Sequence, residues 1–434
     1  MRIAIVGSGI AGTGAAWALH RHHDIALYEK DARIGGHSHT VDVDYDGTPI
    51  AVDTGFIVYN ELNYPNLTAL FRHLGVETQS TAMTFGFSAR NGGLEWQGNT
   101  VRSLFAQKRN VLKPSFHRMW LDILRFRREA TRDLMAGRID GLSLGRYLAT
   151  RRFSDSFRDN CLLPMGAAIW STAARDMLDF PAESFIRFFE NHRLFHFAKP
   201  LWRTVKGGSR SYVERLAAPF ADRIRLNAPV RTIDRKAQGV AITDAGGATD
   251  LFDRVILACH SDQALRLLAN PSDSERNVLG ALRYGRSEVY LHRDPALMPK
   301  RKSVWSSWNY LHTPVAGGNA VSVSYWMNRL QGIDERYPLF ISLNPPQPPR
   351  DALTFATFQY DHPQFDAAAL VAQRRLHLIQ GLKHTWYCGA YAGYGFHEDG
   401  LTSGLEIAQR FGAQLPWGEV VSPRVFPALR EAAE

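Results

Sequence analysis

The chain opens MRIAIVGSGIAG, a short apolar strand that runs straight into a glycine turn. Arg2 to Val6 reads as buried strand, Gly7-Ser8-Gly9-Ile10-Ala11-Gly12 as the turn, and the alanine-rich run to Leu19 as a helix. Asp24 to Tyr28 reads as a second strand and ends in Glu29-Lys30. In such a unit Gly7 allows the tight turn. Gly9 lets backbone approach a pyrophosphate, and Gly12 lets the helix pack closely on the strand. The helix N-terminus, with Ile10 and Ala11 in its first turn, offers free N–H groups and a partial positive charge to phosphate. Glu29 stands 22 residues after Gly7, where an acid accepts hydrogen bonds from ribose hydroxyls and repels a 2′-phosphate.

Two more glycine turns follow. Arg33-Ile34-Gly35-Gly36-His37 comes directly after the second strand, with Arg33 adding charge. Ile50 to Asp53 then reads as a strand entering Thr54-Gly55-Phe56. Such repeated close approaches of backbone suit a long dinucleotide lying extended through the protein, FAD rather than NAD. A further glycine-rich stretch, YCGAYAGYGFHEDGLTSG at 387–404, lies between a buried-strand pattern (Thr385 to Cys388) and a helical one (Leu401 to Phe411).

At 434 residues two domains are expected, and 45% hydrophobic with 21% charged residues is a soluble globular composition. A strand beginning at residue 2 predicts no signal peptide, and no apolar run approaches the roughly 20 residues that span a bilayer. Cys161, Cys259 and Cys388 are widely separated, which predicts neither metal site nor disulfide framework and a reducing, cytoplasmic home. The net charge of +9 equals the excess in residues 101–152 alone. Within that segment Phe116 to Leu134 reads as a helix. Arg118, Arg125, Arg128 and Arg132 share one side, and Phe116, Trp120, Ile123, Leu124 and Leu134 line another. Two readings stand: a solvated helix face, or a basic amphipathic surface for anionic membrane at the inner face. No nucleic-acid motif accompanies the charge.

Taken together, VGSGIAG with YEKDARIGGH, VKGGSRSYVERLA (205–217), LNAPVRTI (226–233), DRVILACH (253–260) and the stretch at 387–404 resemble the FAD-dependent flavin amine oxidase and phytoene desaturase superfamily. HSDQAL (260–265), SSWNY (306–310), YWMNRLQG (325–332) and GYGFHEDGL are similar to a bacterial branch of it. That branch resembles the flavin domain fused ahead of plant cyclopropane fatty acid synthases. The resemblance implies non-covalent FAD and an α/β fold: a doubly wound Rossmann-type FAD domain plus a discontinuous α+β substrate domain with a mixed sheet. Strands near 2–6, 25–29, 224–226, 253–258 and 385–388 would form the first sheet. Segments 1–75, 200–265 and 380–420 would form the FAD domain, 76–199 and 266–379 the substrate domain, and 421–434 a tail. Ser303 to Tyr310 and Val321 to Trp326 read as strands of the second sheet.

The same resemblance places residues. Gly389, Gly393 and Gly395 would let backbone lie against the flavin, and a helix beginning near Asp399-Gly400 would aim its N-terminus at the ring. Gly207-Gly208 would open a helix near the cofactor, and Val230 would contribute backbone to the adenine. Hydride would pass from substrate carbon to flavin N5. The ionisable groups expected to reach the flavin are His397, Glu398 and Asp399, the two acids being equally readable as helix caps. Amine oxidases of the superfamily align substrate between two aromatic rings. Phe396 matches one, and Tyr360 is a candidate for the other. Their N5 lysine is missing from Arg286-Ser287-Glu288-Val289, their Gly-Glu is Gly389-Ala390 here, and their Arg after the early glycine pair is His37. Three activities therefore stand at this point: dehydrogenation or desaturation of a lipid acyl chain, amine oxidation with hydrogen peroxide, and redox-neutral movement of a double bond. A flavin-binding partner of a cyclopropane-fatty-acid-synthase-like methyltransferase is a fourth.

Overall fold

The computed structural model describes residues 1–170, 174–196, 200–315 and 318–421. Nearly all of the expected tail lies outside them. Five parallel strands, β1 (Arg2–Val6), β2 (Asp24–Tyr28), β3 (Ile224–Arg225), β4 (Arg254–Leu257) and β5 (Thr385–Tyr387), pair in the order β3-β2-β1-β4-β5. Each lies within a residue or two of its expected bounds. The strands are apolar on both faces because both faces are covered. The helices that build the site are α1 (Ile10–Leu19), α2 (Pro65–Leu74), α3 (Pro114–Met135), α4 (Ala182–Asn191), α5 (Arg210–Ala217) and α6 (His397–Arg410). Ile3 and Ile5 of β1 face α1, α2, α5 and α6. Ala4 and Val6 face the three-stranded sheet of residues 230–252.

A second, seven-stranded sheet runs in the order 354–363, 284–292, 340–343, 318–326, 308–315, 85–89, 94–97. It is mixed, as expected: strand 308–315 runs parallel to 85–89 and antiparallel to 318–326. The strand expected from Ser303 begins only at Trp308, because Lys302–Val304 form a 3₁₀ turn. Asn309 holds the bend that follows, its Oδ1 accepting from the Ser306 N–H (2.8 Å) and its Nδ2 donating to the Ser306 carbonyl (2.6 Å).

α3 covers the expected helix, but its buried face differs from the expected one. Phe116, Met119, Ile123, Phe126 and Ala130 are buried, and so are Asp122 and Asp133, whereas Leu124 is 51% exposed. A buried carboxylate must be paired. Asp122 is held by Arg118 (3.3 Å) and Arg125 (2.8 Å), and Asp133 by Arg138 (3.4 Å), Arg151 (2.5 Å) and the Tyr147 hydroxyl (3.1 Å). Arg118 and Arg125 therefore serve the interior and do not belong to a free basic face.

Candidate functional site

At the carboxyl ends of the parallel strands a cavity of about 1200 Å³ begins at the first glycine turn. It passes α6 and ends among the aromatic residues of the helical region. This is where open α/β sheets bind ligands.

At its nucleotide end the wall is mostly backbone. The Gly7 N–H donates to the Tyr28 carbonyl (2.9 Å) and the Gly35 N–H to the Ser8 carbonyl (2.9 Å). A Cβ on Gly9 would meet nothing within 4 Å, so this position leaves the turn open to the cavity. A Cβ on Gly36 would lie 3.1 Å from Gly9 Cα, and one on Gly55 would lie 2.1 Å from the His37 carbonyl oxygen. The three turns interlock. Gly12 acts behind the wall, where a Cβ would lie 1.9 Å from the Gly7 oxygen. Ile10, Ala11, Glu29, Lys30, Arg33, His37, Thr54, Phe56 and Val230 all line the cavity. Glu29 also braces the turn, accepting from the Ser8 N–H (3.0 Å), the Ser8 hydroxyl (2.5 Å) and the Asp31 N–H (3.0 Å).

Gly207-Gly208 does not reach this wall. The helix it opens, α5, faces Asp53, whose carboxylate oxygens accept from the Ser209 N–H (2.9 and 3.0 Å). Asp53 is buried, and desolvation pushes its pKa up to about 6. The sequence reading passed over this cap, although an Asp immediately before Thr54-Gly55 is a signal that could have found it.

At the middle of the cavity stand Gly389, Gly395, Phe396, His397 and Gly400. Three expectations change here. α6 begins at His397, earlier than expected, because Asp399 accepts from the Phe396 N–H (2.9 Å) and closes the first turn. Gly393 makes room for that carboxylate rather than for a flavin: a Cβ there would lie 2.1 Å from Asp399 Oδ1. Glu398 points away from the cavity and caps α2, accepting from the Asn66 N–H (2.8 Å) and the Leu67 N–H (2.9 Å). Desolvation pushes its pKa up to about 7. Glu398 and Asp399 are thus capping residues and drop out of the candidate chemistry. α1 and α6 touch backbone to backbone, since a Cβ on Gly404 would lie 2.2 Å from the Ala11 oxygen. Both helix N-termini consequently reach the cavity.

His397 keeps its place on the wall without an acid–base role. Its ring stacks on Phe56 (3.9 Å, 11°), and Nε2 shares a hydrogen bond with the Tyr212 hydroxyl (2.6 Å). Desolvation pulls its pKa down to about 3, so it is neutral at physiological pH. His260 and His362, also on the wall, are pulled below their ordinary value mainly by desolvation, as is His37. Tyr360 lines the cavity beside the glycine turns: its hydroxyl bonds Thr54 Oγ1 (2.7 Å) and His39 Nδ1 (3.0 Å), and its ring lies 5.1 Å from His37. The ring parallel to Phe396 is instead Phe188 of α4 (5.2 Å, 17°). At that spacing the two rings are in contact and leave no slot between them.

Phe188 and His192 went unnoticed in the sequence. The recurrence Phe185, Phe188, Phe189, His192 at helical spacing is the signal that could have found them. Trp96, Trp120, Met165, Ile169 and Phe195 complete an apolar arm. His192 is buried, stacks on Phe188 (3.8 Å) and donates Nδ1–H to the Phe188 carbonyl (3.0 Å); desolvation pulls its pKa to about 4. Val289 stands on the wall, in the strand from which the amine oxidases' N5 lysine is missing. The carboxylate residues on the wall are Glu29 and Asp31 at the nucleotide end, and Asp361, paired with Arg286 (3.5 Å).

The residues fit a flavin dinucleotide. The open face at Gly9 would admit a phosphate, and two helix N-termini would offer it N–H groups. His37 Nε2 and His362 Nδ1 are buried and have no partner among the described residues, as expected of groups awaiting a polar ligand. Cys388 lies in the core away from the wall. Cys259 is on the wall, but desolvation holds its thiol at about 12, where it is a poor nucleophile for attaching a cofactor. Among the described residues no cluster could hold a metal ion.

Comparison with known proteins agrees with this geometry. The family model for flavin containing amine oxidoreductase matches residues 10–338. A flavin-containing monoamine oxidase of Mycobacterium tuberculosis is 28% identical over 263 residues, 57% of this chain and 54% of the relative. The match thus spans about half the length of that curated relative. Among solved structures, a redesigned putrescine oxidase superposes with a TM-score of 0.68 at 17% identity, covering 95% of this chain and 98% of the other. A fatty acid isomerase from P. acnes superposes with a TM-score of 0.68 at 15% identity, covering 94% and 98%.

Proposed function

Because the chain belongs to the flavin-containing amine oxidoreductase family, we propose that it is an FAD-dependent oxidoreductase whose substrate is an apolar, acyl-chain-like lipid that it dehydrogenates or desaturates. Bound FAD supplies the hydride acceptor. The chain's own residues hold the cofactor non-covalently and exclude water. Phe396, braced by Phe188, presents an apolar surface beside the middle of the cavity.

The observation that carries this reading is the charge of the substrate arm. Among the described residues an ammonium ion entering it would find no unpaired carboxylate on the wall, since Glu29 and Asp31 stand at the nucleotide end and Asp361 is already paired. Burying an unpaired charge is costly. Arg193 lines the arm instead, which suits a carboxylate or phosphate headgroup, while His196 is bonded to Glu190 (3.0 Å). The same reading includes a functional association with a cyclopropane-fatty-acid-synthase-like methyltransferase, supported by HSDQAL, SSWNY and YWMNRLQG.

The test is anaerobic flavin bleaching against fatty acids, phospholipids and amines, with products analysed for double bonds. Bleaching by an acyl lipid and not by primary amines is the expected result, whereas bleaching by amines alone would overturn the lipid reading. A double bond moved without net bleaching would assign the redox-neutral reaction, the class to which the fatty acid isomerase neighbour belongs.

A further inference from the structure

α3 carries more exposed apolar surface than its place in the fold requires. Along one stripe run His117, Leu121, Leu124, Arg128, Arg132 and Met135, all exposed. Leu121 is 61% exposed and Met135 82%. Just before the helix, Leu112 is 85% exposed and Val111 48%. Of the 14 exposed large hydrophobic residues among the described ones, five fall between 111 and 135, so the feature is a patch and not scatter. It is elongated, since the 22 residues of α3 extend about 33 Å. Cations flank it: Arg128 and Arg132 are exposed, and neither is in an ion pair among the described residues. Arg118 and Arg125, by contrast, are committed to Asp122.

The patch meets the cavity. Leu124 is at once surface and cavity wall, next to Trp120 and Ile123 of the same helix. Leu124 and His196 also line a surface groove that continues along Arg128, Arg132 and Met135.

We infer that the exposed stripe of α3, with Val111 and Leu112, is the face on which this protein lies against an anionic lipid bilayer, and that Leu124 marks the opening through which an acyl chain passes from bilayer to cavity. The inference rests on the acyl-chain reading above for what passes through, but not for the docking itself. Aliphatic side chains along a helix flanked by arginines match the boundary between headgroups and acyl chains. A protein partner would account for the patch but not for an apolar cavity opening onto it.

The test is co-sedimentation of the FAD-loaded protein with vesicles of phosphatidylcholine alone and of phosphatidylcholine with phosphatidylglycerol, at low and high salt. Wild type is expected to bind the anionic vesicles and to release as salt rises. R128Q/R132Q is expected to bind them roughly thirtyfold more weakly, at about 1 kcal/mol per arginine. L112Q/L121Q, which leaves the charge intact, is expected to lose on the order of tenfold. Unchanged flavin content reports that both variants fold. No binding by wild type at low salt, or equal binding by both variants, overturns the inference and leaves the patch to a protein partner. The bleaching assay with detergent-dispersed lipid separates the two readings. Bleaching without vesicle binding removes the docking face alone, and vesicle binding without bleaching by any acyl lipid removes the substrate reading alone.

Discussion

At the nucleotide end of the cavity the wall is largely backbone: Gly36 and Gly55 let the turns interlock, and Gly9 leaves them open to the cavity. At the substrate end it is side chains, contributed by α3, α4 and the second sheet and held by ring contacts such as Phe188 with Phe396 (5.2 Å). The two ends answer to change differently. A Cβ placed between two backbones has nowhere to go, whereas a ring in an apolar arm can be exchanged for another apolar group at modest cost. Ionisable groups are buried at both ends: Asp53 and Glu398 as helix caps, Asp122 and Asp133 in ion pairs, and His192 and His292 as neutral imidazoles.

The largest effect expected from breaking this contrast is at the contact of α1 and α6. G404V would drive a side chain into Ala11 backbone, since even a Cβ would lie 2.2 Å from its oxygen. No folded holoprotein is expected, as read by soluble yield and flavin absorbance. G9A faces open space and should fold with unchanged urea stability while retaining less FAD. If both variants behave alike, the distinction between packing glycines and cradle glycines fails.

Next in size is the response to pH. His192 and His292 have folded values of about 4, below the ordinary 6.5, so each binds fewer protons folded than unfolded. Their contribution is complete above the unfolded value and is lost as pH falls toward the folded one. By about pH 5.5 each costs about 1.4 kcal/mol, roughly 3 kcal/mol together. Asp53 and Glu398 run the other way: their folded values of about 6 and about 7 lie above ordinary carboxylate values, so their burial costs stability as pH rises through that range. Across about pH 5 to 8 the two sets oppose and nearly cancel, so the urea midpoint of the wild type should stay level. H292Q removes one histidine from that balance, and its stability should fall as pH rises by about 2 kcal/mol over the same range.

A smaller change is expected from E29A. It removes hydrogen bonds from ribose to a charged acceptor, worth about 1.5–3 kcal/mol. It also frees Ser8, so the turn loosens with it. FAD retention through dialysis should fall, and the urea midpoint should drop modestly because the buried Ser8 N–H and hydroxyl lose their acceptor; unchanged FAD content would remove Glu29 from the ribose.

F188L should have the smallest effect. It keeps an apolar arm and loses ring contact with Phe396 worth about 1 kcal/mol. Flavin content is expected to hold while substrate affinity drops about fivefold; loss of flavin instead would show that the two ends are not separable.

Glycine turns are legible in a sequence because the residue type is itself the structural statement. A strand entering Gly-x-Gly and then an apolar helix has few other ways to fold, so β1, β2 and the three turns were readable from residues 1–56, whereas β3, β4 and β5 were placed by the family resemblance. What local patterns do not carry is which surface a polar residue meets across hundreds of positions. Glu398 and Asp399 stand in a stretch whose Gly395, Phe396, His397 and Gly400 line the cavity, and only the approach of α2 turns Glu398 into the cap of Asn66 and Leu67. The basic side of α3 could be counted in the sequence. That Arg118 and Arg125 are spent on Asp122 depended on which face the fold buries. Tyr360 was in reach of the cavity, but Phe188, from a helix with no cofactor motif, took the place beside Phe396. The sequence by itself determined the cofactor half, because backbone geometry there is set by residues adjacent in the chain. Only the tertiary structure decided the substrate half, because its wall is assembled from side chains distant in sequence, and packing rather than local conformation chooses which of them meet.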